Sequence, residues 1–366
     1  MELTYKRVHP SFKLNGIAIT FEDLDEVSYS LIKEGEAFEH YIGAFLLDWI
    51  DSSDEIIVKT SGSTGVPKNI SIKKQHMVNS ALATGDFLNL QAGEKALLCL
   101  PAEFIAGKMM LVRAMILGLH LDVVEPLSAP LSITKNDYDF CAMVPFQLEN
   151  SLMQINRVKT LIVGGASISE SLKIRVQEVT TTIYETFGMT ETITHIALKK
   201  VNNATNEGSI EDERYFKTLP NVTVGKDGRG CLVINAPKIN KEPIITNDVV
   251  NLMSKTAFEW LGRFDNIINS GGLKLVPEQI EAKMVSIIDS RFFVAAIPDE
   301  RLGNQMVLFI EGSIDKEELK QKLSSIKSFN KYEIPKEIFC VPRFIQTKNG
   351  KLARAETLAR FLNSKR

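Results

Sequence analysis

The chain has 366 residues, of which 44% are apolar and 24% charged, as in an ordinary globular protein with a sizeable core. Its 43 Lys and Arg residues against 45 Asp and Glu residues give a net charge of −2, which argues against a nucleic-acid or anionic-membrane partner. The four cysteines lack the Cys-x-x-Cys spacing and the histidines lack the His-Glu-x-x-His spacing, so we expect no tightly bound metal. Neither a secretory leader nor a bilayer-spanning stretch is evident, so we expect a cytoplasmic protein.

Between about residues 55 and 190, short apolar strands alternate with segments of helical length. Strands are predicted at 55–59, 69–73, 96–100, 121–125, 141–144 and 160–163, and helices at 74–88, 105–119 and about 169–179. This alternation is typical of βαβ units in a mainly parallel sheet.

The later part of the chain has a different pattern. Residues 220–260 predict short strands with Gly and Pro turns, which indicates a small β subdomain. A helix beginning at Pro277 and extending to 288 is followed by strands at 292–297 and 306–311, a helix at 315–325 and a strand at 337–341. We therefore expect an α/β protein with a large N-terminal domain and a small α+β C-terminal domain, joined within the polar stretch 262–266.

The strongest chemical signal is a cluster of hydroxyl and glycine residues directly after the strand at 55–59. Backbone N–H groups and hydroxyls in such a loop can surround phosphate oxygens, and a lysine at its end adds a cation. It differs from the loop of P-loop NTPases, because Val-Pro precedes the lysine and a strand follows it; the alternative is a polar hairpin turn. The residues are Thr60, Ser61, Gly62, Ser63, Thr64, Gly65 and Lys68.

This segment resembles the phosphate loop of the adenylate-forming (ANL) superfamily, which includes acyl- and aryl-CoA ligases, luciferases and peptide-synthetase adenylation domains. Four further segments, in the same order, resemble motifs of that superfamily: residues 184–191, 246–248, 262–272 and 347–354. The resemblance covers roughly residues 55–360. It implies domains at 1–264 and 265–366, the second being mobile, and it implies the substrates ATP with Mg²⁺, a carboxylic acid and CoA.

The resemblance assigns nucleotide-binding roles that the residue chemistry permits. An aromatic ring at Phe187 can stack on a purine, and Glu191 can hold Mg²⁺ with Thr190 donating to a phosphate. A buried Phe followed by a Thr-Glu cap is the alternative for that motif. Asp248 can accept the ribose hydroxyls and Arg263 can bind the ribose or a phosphate, although both could form a surface ion pair instead. The remaining residues assigned to the adenylate are Gly164, Gly165, Ala166 and Gly188.

In the C-terminal part, the resemblance makes Lys351 the lysine that stabilises charge on the carboxylate and the α-phosphate during adenylation. Without the resemblance, Lys351 would be expected to be a solvated lysine of the tail. Asp265 matches the hinge about which the small domain rotates between the two half-reactions. Ser270, Gly271 and Gly272 match the loop beside the channel for CoA.

The acid substrate is suggested by Arg113, at the centre of an almost wholly apolar helix. Such a helix is normally buried, and a buried guanidinium needs an anion. The partner could be Glu103 or Glu125, or it could be a carboxylate of the substrate. The helix and the segment ending at His195 resemble o-succinylbenzoate–CoA ligases of menaquinone synthesis, in which an arginine at this position serves the ring carboxylate.

Several departures from the superfamily pattern keep other possibilities open. Phe104 stands where a histidine is usual and would form a wall of the acid pocket, Asn247 replaces a glycine, and Asn269 replaces a lysine. The phosphate loop begins about sixty residues into the chain, so much of the N-terminal subdomain that is usual in the superfamily is expected to be missing or reduced. A second copy of the chain could cover the flank that this leaves exposed, and a homodimer is therefore one expectation. Alternatives are a ligase for another aromatic or short-chain acid and a non-catalytic nucleotide-binding relative.

Overall fold

The computed structural model describes residues 4–59, 69–202, 214–325, 329–346 and 352–364. The expected phosphate loop, 60–68, and Lys351 lie outside these ranges. The chain divides into two compact units, each treated separately below. The first comprises Met1–Gly225, Val233–Ile244 and Leu252–Phe258, and the second comprises Lys226–Leu232, Ile245–Asn251 and Glu259–Arg366.

The helices of the described residues are short to medium in length. They are α1 (Leu24–Lys33), α2 (Glu39–Ile50), α3 (Lys74–Leu88), α4 (Ile105–Leu117), α5 (Pro145–Ser151), α6 (Glu170–Arg175), α7 (Pro277–Met284), α8 (Lys316–Ser325) and α9 (Arg354–Ser364). None of the described helices is both long enough and apolar enough to cross a bilayer.

The strands of the first half of the chain belong to the first unit. They are β1 (Lys13–Leu14), β2 (Ile17–Ala18), β3 (Glu55–Lys59), β4 (Asn69–Lys73), β5 (Lys95–Leu98), β6 (His120–Val123), β7 (Tyr138–Met143), β8 (Val158–Val163), β9 (Thr182–Gly188) and β10 (His195–Lys200).

The remaining strands begin after residue 214. They are β11 (Phe216–Thr218), β12 (Thr223–Lys226), β13 (Cys231–Asn235), β14 (Ile244–Ser254), β15 (Ala257–Arg263), β16 (Ile268–Ser270), β17 (Leu273–Leu275), β18 (Phe292–Asp299), β19 (Gly303–Glu311) and β20 (Glu337–Val341).

The main sheet of the first unit runs in the order β11-β10-β9-β8-β7-β5-β6-β1-β2. All pairings from β9 across to β1 are parallel, and those of β9 with β10 and β10 with β11 are antiparallel. The expectation of an α/β protein with a mainly parallel sheet is confirmed. β15 pairs with β11 through Phe216 and Phe258, so a strand of the expected β subdomain joins the edge of this sheet.

Helix α4 lies buried in the first unit, and its sequence explains both of its ends. Gly107 in the first turn lies against the chain at Pro101, where a Cβ would run into the Pro101 carbonyl oxygen. Gly118 follows the last turn with φ +76°, a conformation that glycine adopts without strain, so the helix ends two residues before the predicted position. The predicted helix at 169–179 is also shorter, because a 3₁₀ turn at Val176–Glu178 follows α6.

The second unit contains a three-stranded sheet, with β18 antiparallel and β20 parallel to β19. One face packs on α7 and α8 through Ile280, Met284 and Leu319. The other face forms a core of aromatic rings that includes Phe293, Phe309, Phe339 and Phe344. The hairpin of β16 and β17 also belongs to this unit.

Candidate functional site

The expected phosphate loop joins two strands whose pairing the structure describes. Strands β3 and β4 form an antiparallel hairpin in register from Glu55 opposite Lys73 to Lys59 opposite Asn69. Lys59 and Asn69, which flank the expected loop in the sequence, are therefore paired side by side, and the loop itself with Lys68 lies outside the described residues.

The chain turns sharply after β9, at the motif expected to bind phosphate and Mg²⁺. Thr190 and Glu191 lie in a 3₁₀ turn, Thr190–Thr192, and Glu191 is exposed. The Thr192 hydroxyl accepts a hydrogen bond from the Met189 amide (2.9 Å) and donates to the Thr194 carbonyl (2.7 Å), which fixes the turn. Within the described residues, no group of three His, Cys, Asp or Glu side chains could hold a metal ion. A single exposed carboxylate fits Mg²⁺ that arrives on substrate phosphates, since Mg²⁺ is commonly held by one or two carboxylates plus phosphate oxygens.

Ile193, between this turn and β10, has a strained backbone. Its φ of 67° and ψ of −57° are those of a rare γ-turn, closed by a 2.7 Å hydrogen bond from the Thr194 amide to the Thr192 carbonyl. A β-branched residue in this region costs about 1–3 kcal/mol, and the surrounding structure must hold it there. The turn sets Thr194 and His195 at the start of β10.

Arg113 is 2% exposed, yet no described carboxylate forms an ion pair with it. One guanidinium nitrogen donates to the Thr194 hydroxyl (3.3 Å), another lies 3.7 Å from the Met110 sulfur, and Nε has no hydrogen-bond partner among the described residues. Burial lowers the pKa of Arg113 to about 9, so the group remains charged at neutral pH. The alternative in which Glu103 or Glu125 neutralises Arg113 is therefore wrong, and the described part of the chain does not supply the anion that a buried cation needs.

A directed chain of hydrogen bonds runs from Arg113 through His195 into α3. The Thr84 hydroxyl donates to the Ser80 carbonyl (3.0 Å), so at 3.1 Å it accepts from Nε2–H of His195. Nδ1 of His195 then accepts from the Thr194 hydroxyl (3.4 Å), whose oxygen accepts from Arg113. This assignment requires a neutral imidazole. Burial, and secondarily the charge of Arg113, hold the pKa of His195 well below its usual value.

The third residue expected in the acid pocket, Phe104, lies apart from this network. It precedes the first turn of α4 and is 40% exposed. Arg113 lies nine positions after Phe104, which corresponds to about 13.5 Å along a helix axis. The structure thus brings together Arg113 and His195 but does not place Phe104 in contact with them.

The residues expected beside the adenine lie at neighbouring strand ends. Gly164 follows β8, and a Cβ there would run into the Thr186 hydroxyl of β9; Gly165 has φ +81° and precedes Ala166. Phe187 is half-buried, with its ring 5.1 Å from Phe258 and 5.6 Å from Phe216. Gly188 is required by close packing, since a Cβ would overlap the Thr194 carbonyl oxygen.

In the second unit, Asp248 is buried and its carboxylate is already oriented. It accepts a hydrogen bond from the Trp260 indole (2.9 Å) and lies 3.6 Å from Arg263. Arg263 also lies 3.6 Å from Asp265, the expected hinge residue. Asp248 and Arg263 therefore form the ion pair between protein groups that was the expected alternative, and their role in binding the ribose stays a prediction.

Asn247 and Arg229, to which the sequence analysis assigned no role, form hydrogen bonds beside Asp265. The Asn247 amide donates to the Asp265 carboxylate (3.1 Å) and accepts from Arg229 (2.9 Å). Arg229 also donates to the Thr246 carbonyl (3.0 Å) and forms an ion pair with Asp227 (2.8 Å). The Asn at 247, which departs from the usual glycine, was the one signal for this contact. Thr84 and Trp260 carried no motif that could have identified them.

The loop expected beside the CoA channel forms the turn of the β16–β17 hairpin. Gly271 and Gly272 have φ values of +57° and +83°, and the Gly271 amide donates to the Leu302 carbonyl (2.9 Å). Ser270 ends β16. Lys351, the expected catalytic lysine, lies outside the described residues.

Comparison with known proteins gives consistent matches. A family model described as "AMP-binding enzyme" matches residues 48–224. The chain is 26% identical to a 2-succinylbenzoate–CoA ligase of Listeria monocytogenes, over 96% of this chain and 80% of that protein. It is 35% identical to an acyl-CoA synthetase (AMP-forming)/AMP-acid ligase II-like protein of Dyadobacter fermentans, a solved structure with a TM-score of 0.60 that aligns over 92% of this chain and 98% of that one.

A further solved structure shows the same fold at lower identity. It is the o-succinylbenzoate CoA synthetase of Bacillus subtilis in complex with its acyl-adenylate intermediate, with a TM-score of 0.77 and 17% identity over 94% of this chain and 95% of that one.

Proposed function

This chain belongs to the family of AMP-binding enzymes and is an AMP-forming acid–CoA ligase, and we propose that the acid it activates is o-succinylbenzoate. The observation that carries the proposal is Arg113, a buried cation without an anionic partner in the described structure, beside Thr194 and His195. A substrate with a second carboxylate supplies that anion. The names of the similar proteins agree with this choice.

The proposed reaction has two steps. A carboxylate of the acid attacks the α-phosphorus of ATP, forming the acyl-adenylate and releasing pyrophosphate. The CoA thiolate then attacks the acyl carbonyl, forming the thioester and releasing AMP. The protein supplies positioning and charge stabilisation and no covalent nucleophile, since the substrate carboxylate is the nucleophile of the first step.

The site residues take the following proposed roles. Lys68 and the hydroxyls and amides of Thr60, Ser61, Gly62, Ser63, Thr64 and Gly65 bind the β- and γ-phosphates. Thr190 donates to the α-phosphate. Glu191 would hold the Mg²⁺ that accompanies ATP, which neutralises phosphate charge when bound. Lys351 stabilises the charge that develops during adenylation.

The remaining roles concern the adenosine, the acid and the domain movement. Phe187, Gly188 and the segment Gly164, Gly165 and Ala166 contact the adenine, and Asp248 accepts the ribose hydroxyls beside Arg263. Arg113 binds the ring carboxylate, and His195 is linked to Arg113 through the Thr194 hydroxyl. Phe104 forms the outer wall of the pocket. The part of the chain from 265 to 366 rotates about Asp265, which brings Ser270, Gly271 and Gly272 to the CoA channel. The protein is proposed to be cytoplasmic and to form a homodimer.

The experiment is a panel of acids supplied with ATP, Mg²⁺ and CoA, scored for AMP release and for thioester by mass spectrometry. We expect thioester with o-succinylbenzoate and none with benzoate, and loss of this preference in Arg113→Ala. If benzoate or a short monocarboxylic acid were the better substrate and Arg113→Ala left it unaffected, the assignment of the acid would be wrong.

A further inference from the structure

Thr84 lies on α3, at the end of the hydrogen-bond chain that begins at Arg113. It is completely buried, and the next residue, Gly85, lets α3 approach α4 closely, because a Cβ there would run into the Leu117 side chain. The proposed roles give Thr84 no contact with ATP, the acid or CoA. Any part that it takes in the reaction is therefore through its neighbour His195.

The Thr84 hydroxyl has one proton, and that proton is used within α3. It is donated to the Ser80 carbonyl one turn earlier (3.0 Å), a common bond for a threonine inside a helix. Toward Nε2 of His195, at 3.1 Å, the hydroxyl oxygen can then only accept. Nε2 therefore carries the imidazole proton and Nδ1 carries the lone pair, so Thr84 fixes one of the two neutral tautomers of His195.

This tautomer turns the electron-rich side of the imidazole toward the buried cation. Nδ1 accepts from the Thr194 hydroxyl (3.4 Å), and the hydroxyl oxygen is left to accept from Arg113 (3.3 Å). The opposite tautomer would direct an N–H, and the positive end of the ring dipole, toward the guanidinium. In a buried site a dipole acts strongly on a charge, because little water screens it. The tautomer that Thr84 fixes thus favours a charged Arg113 held by Thr194.

We propose that Thr84 is a positioning residue for the acid: by keeping Nδ1 of His195 unprotonated, it orients the Thr194 hydroxyl, which holds Arg113 in place for the second carboxylate of the substrate. The inference rests on the proposed function in that Arg113 is taken to bind that carboxylate. It adds a determinant of acid specificity on α3, a helix outside the segments that resemble superfamily motifs.

Nitrogen-15 spectra of histidine-labelled protein test the tautomer, because the protonated and unprotonated nitrogens of a neutral imidazole resonate far apart. The signals of His195, one of five histidines, are identified by their loss in His195→Gln. The wild type is expected to show a protonated Nε2. Thr84→Val should shift His195 toward the other tautomer, since Nε2–H loses its acceptor while Nδ1–H can donate to Thr194. Thr84→Ser should keep the wild-type spectrum.

Steady-state adenylation measures the consequence for the acid. Thr84→Val should raise the KM for o-succinylbenzoate about tenfold, near the upper end of the contribution of one hydrogen bond, with kcat and the KM for ATP little changed. Thr84→Ser should restore the wild-type KM. Activity with 4-oxo-4-phenylbutanoate, which lacks the ring carboxylate, should be low in the wild type and no lower in Thr84→Val. Thr84→Ala serves as a second variant if Thr84→Val does not fold.

The matched control is Ser80→Ala, one turn away on the same helix. The Ser80 hydroxyl is also completely buried but has no hydrogen-bond partner among the described residues, and the variant keeps the carbonyl that accepts from Thr84. It should change neither the His195 spectrum nor the KM for the acid.

Two results would overturn the inference: an unchanged His195 tautomer in Thr84→Val, or a changed tautomer with an unchanged KM for the acid. An equal rise of that KM in Ser80→Ala would also overturn it, since the effect would then be one of packing. A changed tautomer in a protein that forms no adenylate from any acid would instead refute the proposed function, and the control of His195 by Thr84 would stand.

Discussion

At the scale of single residues, Arg113 is a buried charge that costs stability and that the proposed function uses to bind the acid. It is buried, and within the described structure it has no ion-pair partner and its Nε has no hydrogen bond. Replacing even a buried ion pair by apolar side chains of similar volume is often neutral or stabilising by up to about 4 kcal/mol, and a buried cation without an ion-pair partner has less to offset its desolvation. The proposed role in binding the acid would account for a charged residue at this position.

We therefore expect Arg113→Met to raise the unfolding free energy of the ligand-free protein by about 1–4 kcal/mol while it abolishes use of o-succinylbenzoate. Chemical denaturation and the thioester assay measure the two effects separately. Destabilisation by Arg113→Met would indicate that the guanidinium is satisfied within the protein, and the argument for an external anion would fail.

His195 leads to a prediction about pH. Its pKa is held well below the usual value in the folded protein and is near 6.5 in the unfolded chain, so below about pH 6.5 the unfolded state binds the extra proton. The stability that the neutral imidazole contributes is thus present above pH 6.5 and is lost as the pH falls toward the folded pKa.

Denaturation curves of wild type and His195→Gln between pH 5 and 7.5 test this expectation. Below pH 6.5 the wild type should lose stability relative to the variant by up to about 1.4 kcal/mol per pH unit. Parallel pH profiles would mean that His195 titrates normally and that the directed chain from Arg113 to Thr84 is wrongly assigned.

At the scale of elements, the position of α4 depends on a close contact of its first turn. A Cβ at Gly107 would overlap the Pro101 carbonyl, whereas Gly225 has open space around its Cβ position and no positive φ. We expect Gly107→Ala to destabilise the protein by about 1–3 kcal/mol and to raise the KM for the acid, because α4 carries Arg113. Gly225→Ala is the matched control and should change neither. Equal effects of the two substitutions on melting temperature would refute this account of α4.

Much of the secondary structure could be predicted from the hydrophobic pattern and from residues typical of the ends of helices and strands. The prediction of a helix at 74–88 and a strand at 337–341 coincides with α3 and β20, where apolar periodicity and flanking polar residues agree. Predicted ends were wrong where local backbone conformation decides them, as at Gly118 after α4 and in the 3₁₀ turn after α6. Likewise, the motifs pointed to His195 and Asp248, but their hydrogen-bond partners Thr84 and Trp260 lie on other elements and carry no local signal.

At the scale of the whole molecule, the resemblance to adenylate-forming enzymes is confirmed by the family and structural matches, and the fold class with it. The domain boundary at 264/265 remains a prediction; residues 265–366 fall within the second compact unit, which also contains shorter stretches of the preceding chain. The roles of the individual site residues also remain predictions.

The proposed rotation of residues 265–366 between the two half-reactions predicts that Lys351 takes part in adenylate formation only. Lys351→Ala should lower the rate of adenylate formation at least about a hundredfold, as expected for loss of a group that stabilises developing charge. Thioester formation from chemically prepared acyl-adenylate should be largely spared. Single-turnover measurements of each half-reaction distinguish this from a general defect, in which both rates would fall equally.

The most direct test of the account is isotope exchange between pyrophosphate and ATP in the presence of o-succinylbenzoate and without CoA. This exchange requires a site that binds ATP, forms the acyl-adenylate and converts the adenylate and pyrophosphate back to ATP. It does not depend on the second half-reaction. The account predicts exchange that requires the acid and disappears in Arg113→Met. Absence of exchange with o-succinylbenzoate and with every other acid tested would contradict it and would identify the chain as a non-catalytic nucleotide-binding relative.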